Sequence, residues 1–381
     1  MTDQLSGTSR DARQGGDLTS YTDRRISLDL SVCSNRLGPP ESAMRALAAF
    51  AADRPRELGP PPYGAHQSYL AAYARHLAVE PSHLLCGRGV TEFLLLLARH
   101  LHSEDVALLT PEYTETMRRF GFATFYPPTE RHDSPAHRLE RLHQAMARHR
   151  YVVLSNPNNP LGLYTHSADL LEAIHRYPQC TLVVDEEYIE FQGPGLSLAG
   201  ADADNLVVLA STGKTYGITG TRAGIMWTRN AALHRAVQLH LPAWPLSLLD
   251  ITVATAALND QAWARRTLPH IRRDAQQLEQ ILTERFGGAV VPSGIHYRFV
   301  HLQEPEAAAE HLEAHGIAVR TFDGAVRGRI AGIRVMAPAS ADEFELLRNA
   351  TLRMPGQSRR RPGTGVPYRG KSVLEPAPVG H

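Results

Sequence analysis

Apolar positions along this chain follow two rhythms. In ESAMRALAAFAA from Glu41, AHQSYLAAYARHLA from Ala65 and VTEFLLLLARHL from Val90, they recur at steps of three and four. That spacing lines one face of a helix. Short apolar runs then take over: DVALL from Asp105, ATFY from Ala123, YVVLS from Tyr151, TLVVD from Thr181 and NLVVLAS from Asn205. They are separated by helical stretches and apolar on both sides, as strands of a parallel sheet covered on both faces must be. After about Asn230 long helical patterns return, in HRAVQLHL and then roughly over residues 247–286. Strand-like HYRFVHL follows near His296, and GIRVMAP near Gly332. The pattern predicts an α/β fold, with a mostly parallel sheet covered by helices in a large domain (46–250) and a smaller α+β C-terminal domain (251–354). Residues 23–45 are expected to form an arm that packs with the small domain. Residues 1–22 are polar, and residues 355–381 carry Pro, Gly and Arg without an apolar period. Both segments are expected to be disordered. No internal repeat is present.

Composition narrows the classes. The chain has 381 residues, 43% of them hydrophobic, with 40 basic against 39 acidic side chains. A net charge of +1 offers neither the basic excess of a nucleic-acid binder nor the acidic excess of a solvating tail. Three widely spaced cysteines, Cys33, Cys86 and Cys180, do not make a disulfide framework and fit a reducing compartment. The run FLLLLA near residue 95 is far too short to span a bilayer. MTDQLSGTSRDARQGG has no apolar core for a signal peptide. A cytoplasmic protein without membrane or nucleic-acid partners is expected. His311 and His315 in HLEAH lack the HExxH order and a third ligand, so no metal site is read there.

The sharpest fact is the choice of base. Only two lysines occur, Lys214 and Lys371. Arg cannot form a Schiff base at ordinary pH, and Lys can when its pKa falls. Lys371 lies in the C-terminal tail. Lys214 follows a strand, and ligands in open α/β sheets sit beyond the strands' carboxyl ends. Three such ends carry polar runs: Asn156-Pro157-Asn158-Asn159-Pro160 after Ser155, Asp185-Glu186-Glu187-Tyr188, and Ser211-Thr212-Gly213-Lys214 continuing to Arg222. Singly each has a plain alternative: a turn, a helix cap or metal ligand, or the end of a P-loop. The P-loop fails on spacing, because position 208 is Val208.

Together they suit pyridoxal 5'-phosphate. That cofactor needs an amine for its aldehyde, an acid opposite its ring nitrogen, and donors for its 3-oxygen and phosphate. Lys214 supplies the amine and Asp185 the acid, since a nearby carboxylate stabilises the pyridinium. Asn159 and Tyr188 face the 3-oxygen, and Ser211 and Arg222 the phosphate. Gly89, Val90 and Thr91 open a helix whose free amides extend the anion cradle. Tyr113, after the strand from Asp105, is placed to lie flat on the ring. Lys214, Asp185 and Tyr188 form the expected catalytic set.

These motifs resemble fold type I pyridoxal-phosphate enzymes, which have the aspartate aminotransferase fold. SNPNNPLG, VVDEEYIEF, STGK with its following Arg, and PAWPLS are similar to the histidinol-phosphate aminotransferases of the class I/II aminotransferase family. The match covers roughly residues 25–352. The resemblance implies that the large domain binds the cofactor through a Schiff base on Lys214. It also implies a homodimer with shared active sites, in which Tyr63 reaches the neighbour's phosphate. Arg334, assisted by Arg320, would grip the substrate's carboxylate or phosphate. In this family an Asn-Glu-Asn-Pro-like run faces the substrate. Here the corresponding stretch is Cys33-Ser34-Asn35-Arg36-Leu37-Gly38, so Asn35 and Arg36 become substrate-side candidates. An Arg where the relatives carry an acid argues against histidinol phosphate. With the Arg-rich composition, it points to an amino-acid-like substrate in specialised, antibiotic-type biosynthesis. The same motifs would serve transamination, C–S β-elimination or decarboxylating deamination of a cysteine-S-conjugate, and a genuine histidinol-phosphate aminotransferase. A non-catalytic regulator on this fold would need a further DNA-binding domain, for which 22 N-terminal residues are too short.

Overall fold

The computed structural model describes residues 15–20, 25–128 and 133–354. The tail from residue 355 lies outside the described residues. The chain enters along β1 (Leu28–Asp29), which pairs in parallel with β11 (Ile317–Ala318). The main feature is a seven-stranded sheet. Its order is β2 (Leu84–Arg88), β8 (Ala223–Thr228), β7 (Leu206–Ser211), β6 (Thr181–Asp185), β5 (Tyr151–Ser155), β3 (Val106–Leu108) and β4 (Thr124–Phe125). All neighbours are parallel except β8, which runs antiparallel to both β2 and β7. The hydrophobic pattern singles out five of these strands and leaves out LLCGR of β2 and AGIMWT of β8. β8 follows the polar block around Lys214 with no intervening helix, which only an antiparallel return allows.

Alternation along the strands explains the two covered faces. Val152, Leu154, Leu182, Val184, Leu206 and Val208 point into one core. Helices α1 (Glu41–Asp53), α2 (His66–Leu77), α5 (Pro135–Met146), α6 (Ser167–Arg176) and α9 (Leu248–Asn259) supply the rest of it. Val153, Val183, Val207 and Leu209 point the other way, against α3 (Gly89–His100), α4 (Thr114–Arg119) and α8 (Ala231–Gln238). Each buried Val or Leu side chain contributes about 1.5–3 kcal/mol relative to exposure.

A second sheet is antiparallel, in the order β12 (Arg320–Phe322), β13 (Gly332–Met336), β10 (Tyr297–His301) and β9 (Val290–Val291). Its core takes side chains from α10 (Gln261–Phe286), α11 (Pro305–Ala314) and α12 (Ala341–Leu352), with Leu28 and Leu30 of the arm. The exchange of cores falls inside α10 rather than at position 250. Trp263 and Ala264 belong to the first core, Ile271 and Leu278 to the second, and Pro269 lies between them.

The N-terminal expectation needs a correction. Gly15–Ser20 are placed, with a 3-10 turn at Leu18–Ser20. The Gly16 amide donates to Ser31 Oγ at 2.9 Å. The close approach depends on missing side chains: a Cβ on Gly15 would lie 2.6 Å from the Ser31 carbonyl oxygen. Residues 1–14, 21 and 22 lie outside the described residues.

Candidate active site

The carboxyl ends of β5, β6 and β7 stop at Ser155, Asp185 and Ser211, on one edge of the sheet. A pocket opens there. Its walls bring together Gly89, Val90, Thr91, Tyr113, Asn159, Asp185, Tyr188, Ser211, Lys214, Arg222 and Arg334. These residues come from seven separate stretches of the chain.

Each wall has a local cause. The Asn/Pro run is held by its own amides: the Asn156 side chain donates to the Thr165 carbonyl (2.9 Å) and accepts from the Thr165 amide (2.8 Å). Asn158 donates to the Pro111 carbonyl at 2.9 Å, leaving Asn159 to face the pocket. Below them Glu112 accepts from the Ser155 amide at 2.9 Å and from the Ser155 hydroxyl, and pairs with Arg138 at 2.5 Å. The second sheet reaches the same loop. Tyr297 donates its hydroxyl to the Asn158 carbonyl (2.7 Å), and Arg334 donates to Asn159 Oδ1 (2.5 Å) and to the Ser31 carbonyl (3.0 Å).

The Lys214 loop is pinned from the N-terminal arm. The Asn35 amide donates to the Lys214 carbonyl at 2.8 Å, and its side chain donates to the Thr215 carbonyl at 2.8 Å. Two glycines make that crossing: a Cβ on Gly38 would lie 2.2 Å from the Tyr216 carbonyl oxygen, and Gly217 has φ +65°. A second crossing places Gly224 against Gly89, where a Cβ would meet backbone at 2.6 Å. This sets the amino end of α3 beside Arg222, whose guanidinium would lie 3.1 Å from a Cβ on Gly89.

Comparison with known proteins agrees with this arrangement. The model of the family described as aminotransferase class I and II matches residues 25–343. The chain belongs to that family. The histidinol-phosphate aminotransferase of Shewanella amazonensis is 27% identical over 300 residues, covering 74% of this chain and 79% of that protein. Among solved structures, histidinol-phosphate aminotransferase from Sinorhizobium meliloti in complex with pyridoxal-5'-phosphate superposes with a TM-score of 0.74 at 21% identity. It covers 91% of this chain and 98% of that one. The pyridoxal-phosphate-bound C-S lyase from Staphylococcus hominis superposes with a TM-score of 0.72 at 15% identity, covering 92% and 95%. The fold is that of the aminotransferases, and the cofactor of this enzyme is pyridoxal 5'-phosphate.

The pocket of this aminotransferase fits that group. Asp185 is buried, accepts only the Glu187 amide (3.0 Å), and makes no ion pair among the described residues. Burial pushes its carboxyl well above the usual range, and the Glu187 carboxylate adds to this. A pyridinium at that spot would supply the missing cation. Burial pushes the Lys214 ammonium below its usual pKa, with Glu187 opposing, and Arg334 and Arg222 adding to the fall. Such an amine is neutral more often than an exposed lysine and available to an aldehyde.

Four expected site residues lie elsewhere. Arg36 pairs with the Glu343 carboxylate at 2.6 Å and does not line the pocket. The Asn35 side chain is spent on the Thr215 carbonyl and the Leu37 amide (2.9 Å). Arg320 lies opposite Arg334 in the register of β12 and β13, but its guanidinium goes to Thr114 Oγ1 (3.3 Å) and over the Phe322 ring (5.5 Å). Tyr63 is 75% exposed, edge-on to Trp244 at 5.4 Å, and lines no part of its own chain's pocket. Gly15, Ser31, Val32, Cys33 and Glu187 line the pocket instead, and sequence reasoning did not name them.

Proposed function

We propose that this chain is an aminotransferase acting on the α-amino group of an amino acid or amino-acid-like compound, with Lys214 as nucleophile and proton carrier. The observation that carries the reading is the lysine itself. It is the one lysine among the described residues, its amine is depressed by burial, and it shares a pocket with the buried Asp185. When bound, pyridoxal phosphate supplies an electron sink conjugated to the substrate's Cα. The chain's part is orientation and proton movement. Lys214 Nζ would hold the cofactor through its aldehyde carbon, and the same amine is placed to move a proton at the substrate's Cα. Asp185 Oδ1 and Oδ2 keep the ring nitrogen protonated. Asn159 and Tyr188 donate toward the ring's oxygen, and Arg222 with the amides of Gly89, Val90 and Thr91 receives the phosphate. Tyr113 supplies a flat wall beside the ring.

Arg334 receives the substrate's carboxylate. Its guanidinium is buried, faces the pocket, and has an Nε with no hydrogen-bond partner. An anion is what such a group lacks. The departure of residues 33–38 from the histidinol-phosphate pattern supports a different substrate. With the Arg-rich composition it supports a place in specialised biosynthesis. A homodimer in which Tyr63 completes the partner's phosphate site accounts for its exposure. The test is direct: reduce the cofactor-loaded protein with borohydride, map the labelled peptide, and follow keto-acid formation from a panel of α-amino acids and from histidinol phosphate. A label on Lys214 and keto acid from an α-amino acid are expected. Label elsewhere, or turnover of histidinol phosphate alone, would overturn the reading.

A further inference from the structure

Glu187 is the pocket residue that the chemistry above does not use. Its Oε1 accepts the Ser211 hydroxyl at 2.8 Å, and Ser211 Oγ in turn accepts the Gly213 amide at 3.1 Å. Its Oε2 is shut off from water and has no hydrogen-bond partner. Lys214 and Arg222 both act on it electrostatically, drawing its carboxyl down against the rise caused by burial. The four residues line one pocket together with Gly89 and Thr91. A hydroxyl, the Arg222 guanidinium, the Lys214 amine and the amino end of a twelve-residue helix form an anion-binding arrangement. In this chain a side-chain carboxylate already sits on its hydroxyl.

We propose that Glu187 is a built-in anion that occupies the phosphate cradle and competes with the phosphate of an incoming ligand for Ser211. This rests on the pyridoxal-phosphate reading and deepens it. A dianionic phosphate cannot share Ser211 with an ionised carboxylate, since like charges a few ångströms apart repel strongly out of water. Loading therefore requires Glu187 to leave Ser211. The energy of that displacement is subtracted from the cofactor's affinity, so the cofactor is held more loosely and exchanges more readily than the remaining donors would allow. Glu187 is thus an affinity-setting residue of the phosphate site. In the absence of ligand it also keeps the Lys214 charge compensated, which removing the carboxylate would not do.

The test compares two ligands on three proteins. Pyridoxal 5'-phosphate and pyridoxal, which lacks the phosphate, are titrated into wild type, Glu187→Gln and Glu187→Ala, and dissociation constants are read by absorbance. Glu187→Gln keeps the shape and removes the charge, and pyridoxal binding reports that each variant retains its fold. The expected result is that both variants bind pyridoxal phosphate about tenfold more tightly or better, while pyridoxal changes by less than about twofold. Equal or weaker pyridoxal-phosphate binding with unchanged pyridoxal binding would overturn the proposal. So would a parallel shift of both ligands, which would make Glu187 a steric neighbour of the ring. Failure of all three proteins to take either ligand would overturn the cofactor reading, and this proposal with it.

Discussion

Arg138→Met is the most informative perturbation of the scaffold under the site. It removes the guanidinium that pairs with Glu112 at 2.5 Å, where the two side chains are 1% and 0% exposed. The carboxylate would be left out of water, with the Ser155 and Asn158 donors as its remaining support. Removing one partner of a buried pair costs about 3–5 kcal/mol. Unfolding entropy runs near 2.1 cal/mol/K per residue, so roughly 330 ordered residues give about 0.7 kcal/mol/K and a midpoint lowered by about 4–7 °C. The pH dependence has a definite sign. Burial already raises the Glu112 carboxyl in the folded protein, and Arg138 is the largest opposing influence. Without it the folded-state pKa rises further above the unfolded value of about 4.3. A carboxyl raised on folding destabilises the native state increasingly as pH climbs from the unfolded toward the folded value. The loss should therefore be larger at pH 8 than at pH 5. Thermal melts of both proteins at the two pH values decide it. A variant melting within about 1 °C of wild type at pH 8, or losing more at pH 5, would refute the reasoning.

Asp185→Ala should still take up cofactor through Lys214 and the phosphate donors, yet turn over about a hundredfold more slowly, roughly 2.7 kcal/mol of lost transition-state stabilisation. A near-wild-type rate would make Asp185 structural. Arg36→Ala removes a partly exposed pair worth about 0–1 kcal/mol, and kcat/KM within about twofold of wild type is expected. A large rise in KM would return Arg36 to the substrate side. Asn35→Ala cuts the side-chain tie to the Lys214 loop. Turnover should fall about tenfold, with a changed absorbance of the bound cofactor, and an unaltered spectrum and rate would show the tie to be incidental. Tyr63→Phe should weaken cofactor affinity without altering the sedimentation of the proposed dimer. A fully active monomer at working dilution would exclude the shared site.

The strand ends that line the pocket were legible because three separate polar runs each follow an apolar strand, and a parallel sheet must bring such ends to one edge. Lys214 stood out by its rarity. Other features were hidden for physical reasons. Glu186 and Glu187 stand in a polar run with nothing to set them apart, yet Glu186 accepts the Leu198 amide at 2.9 Å while Glu187 turns into the pocket. Glu112 and Arg138 lie on different elements and meet only in three dimensions. Arg36 was misplaced because spacing shows which segment passes the pocket and not which way a long side chain leaves it. Its partner Glu343 is more than 300 residues away in sequence.

The position of Pro269 gives α10 the character of a lever. Its first turns are anchored in one core and its remaining length in the other, with the residue that has no amide to donate standing at the changeover. From Pro269 to the end of the helix is about 26 Å at 1.5 Å per residue, so a tilt of two degrees there displaces the far end by roughly 1 Å. Such a displacement exceeds the roughly half-ångström range over which a hydrogen bond keeps its strength, and the 2.5 Å bond from Arg334 to Asn159 and the 2.7 Å bond from Tyr297 to Asn158 join the two halves across the pocket. Small angular play at one imino acid is thereby geared to the spacing between the guanidinium on the second sheet and the amine on the first. A change in the pitch of this rod would carry the sheet that bears Arg334 relative to the strand ends that bear Lys214, since the longer part of α10 packs in the core under that sheet.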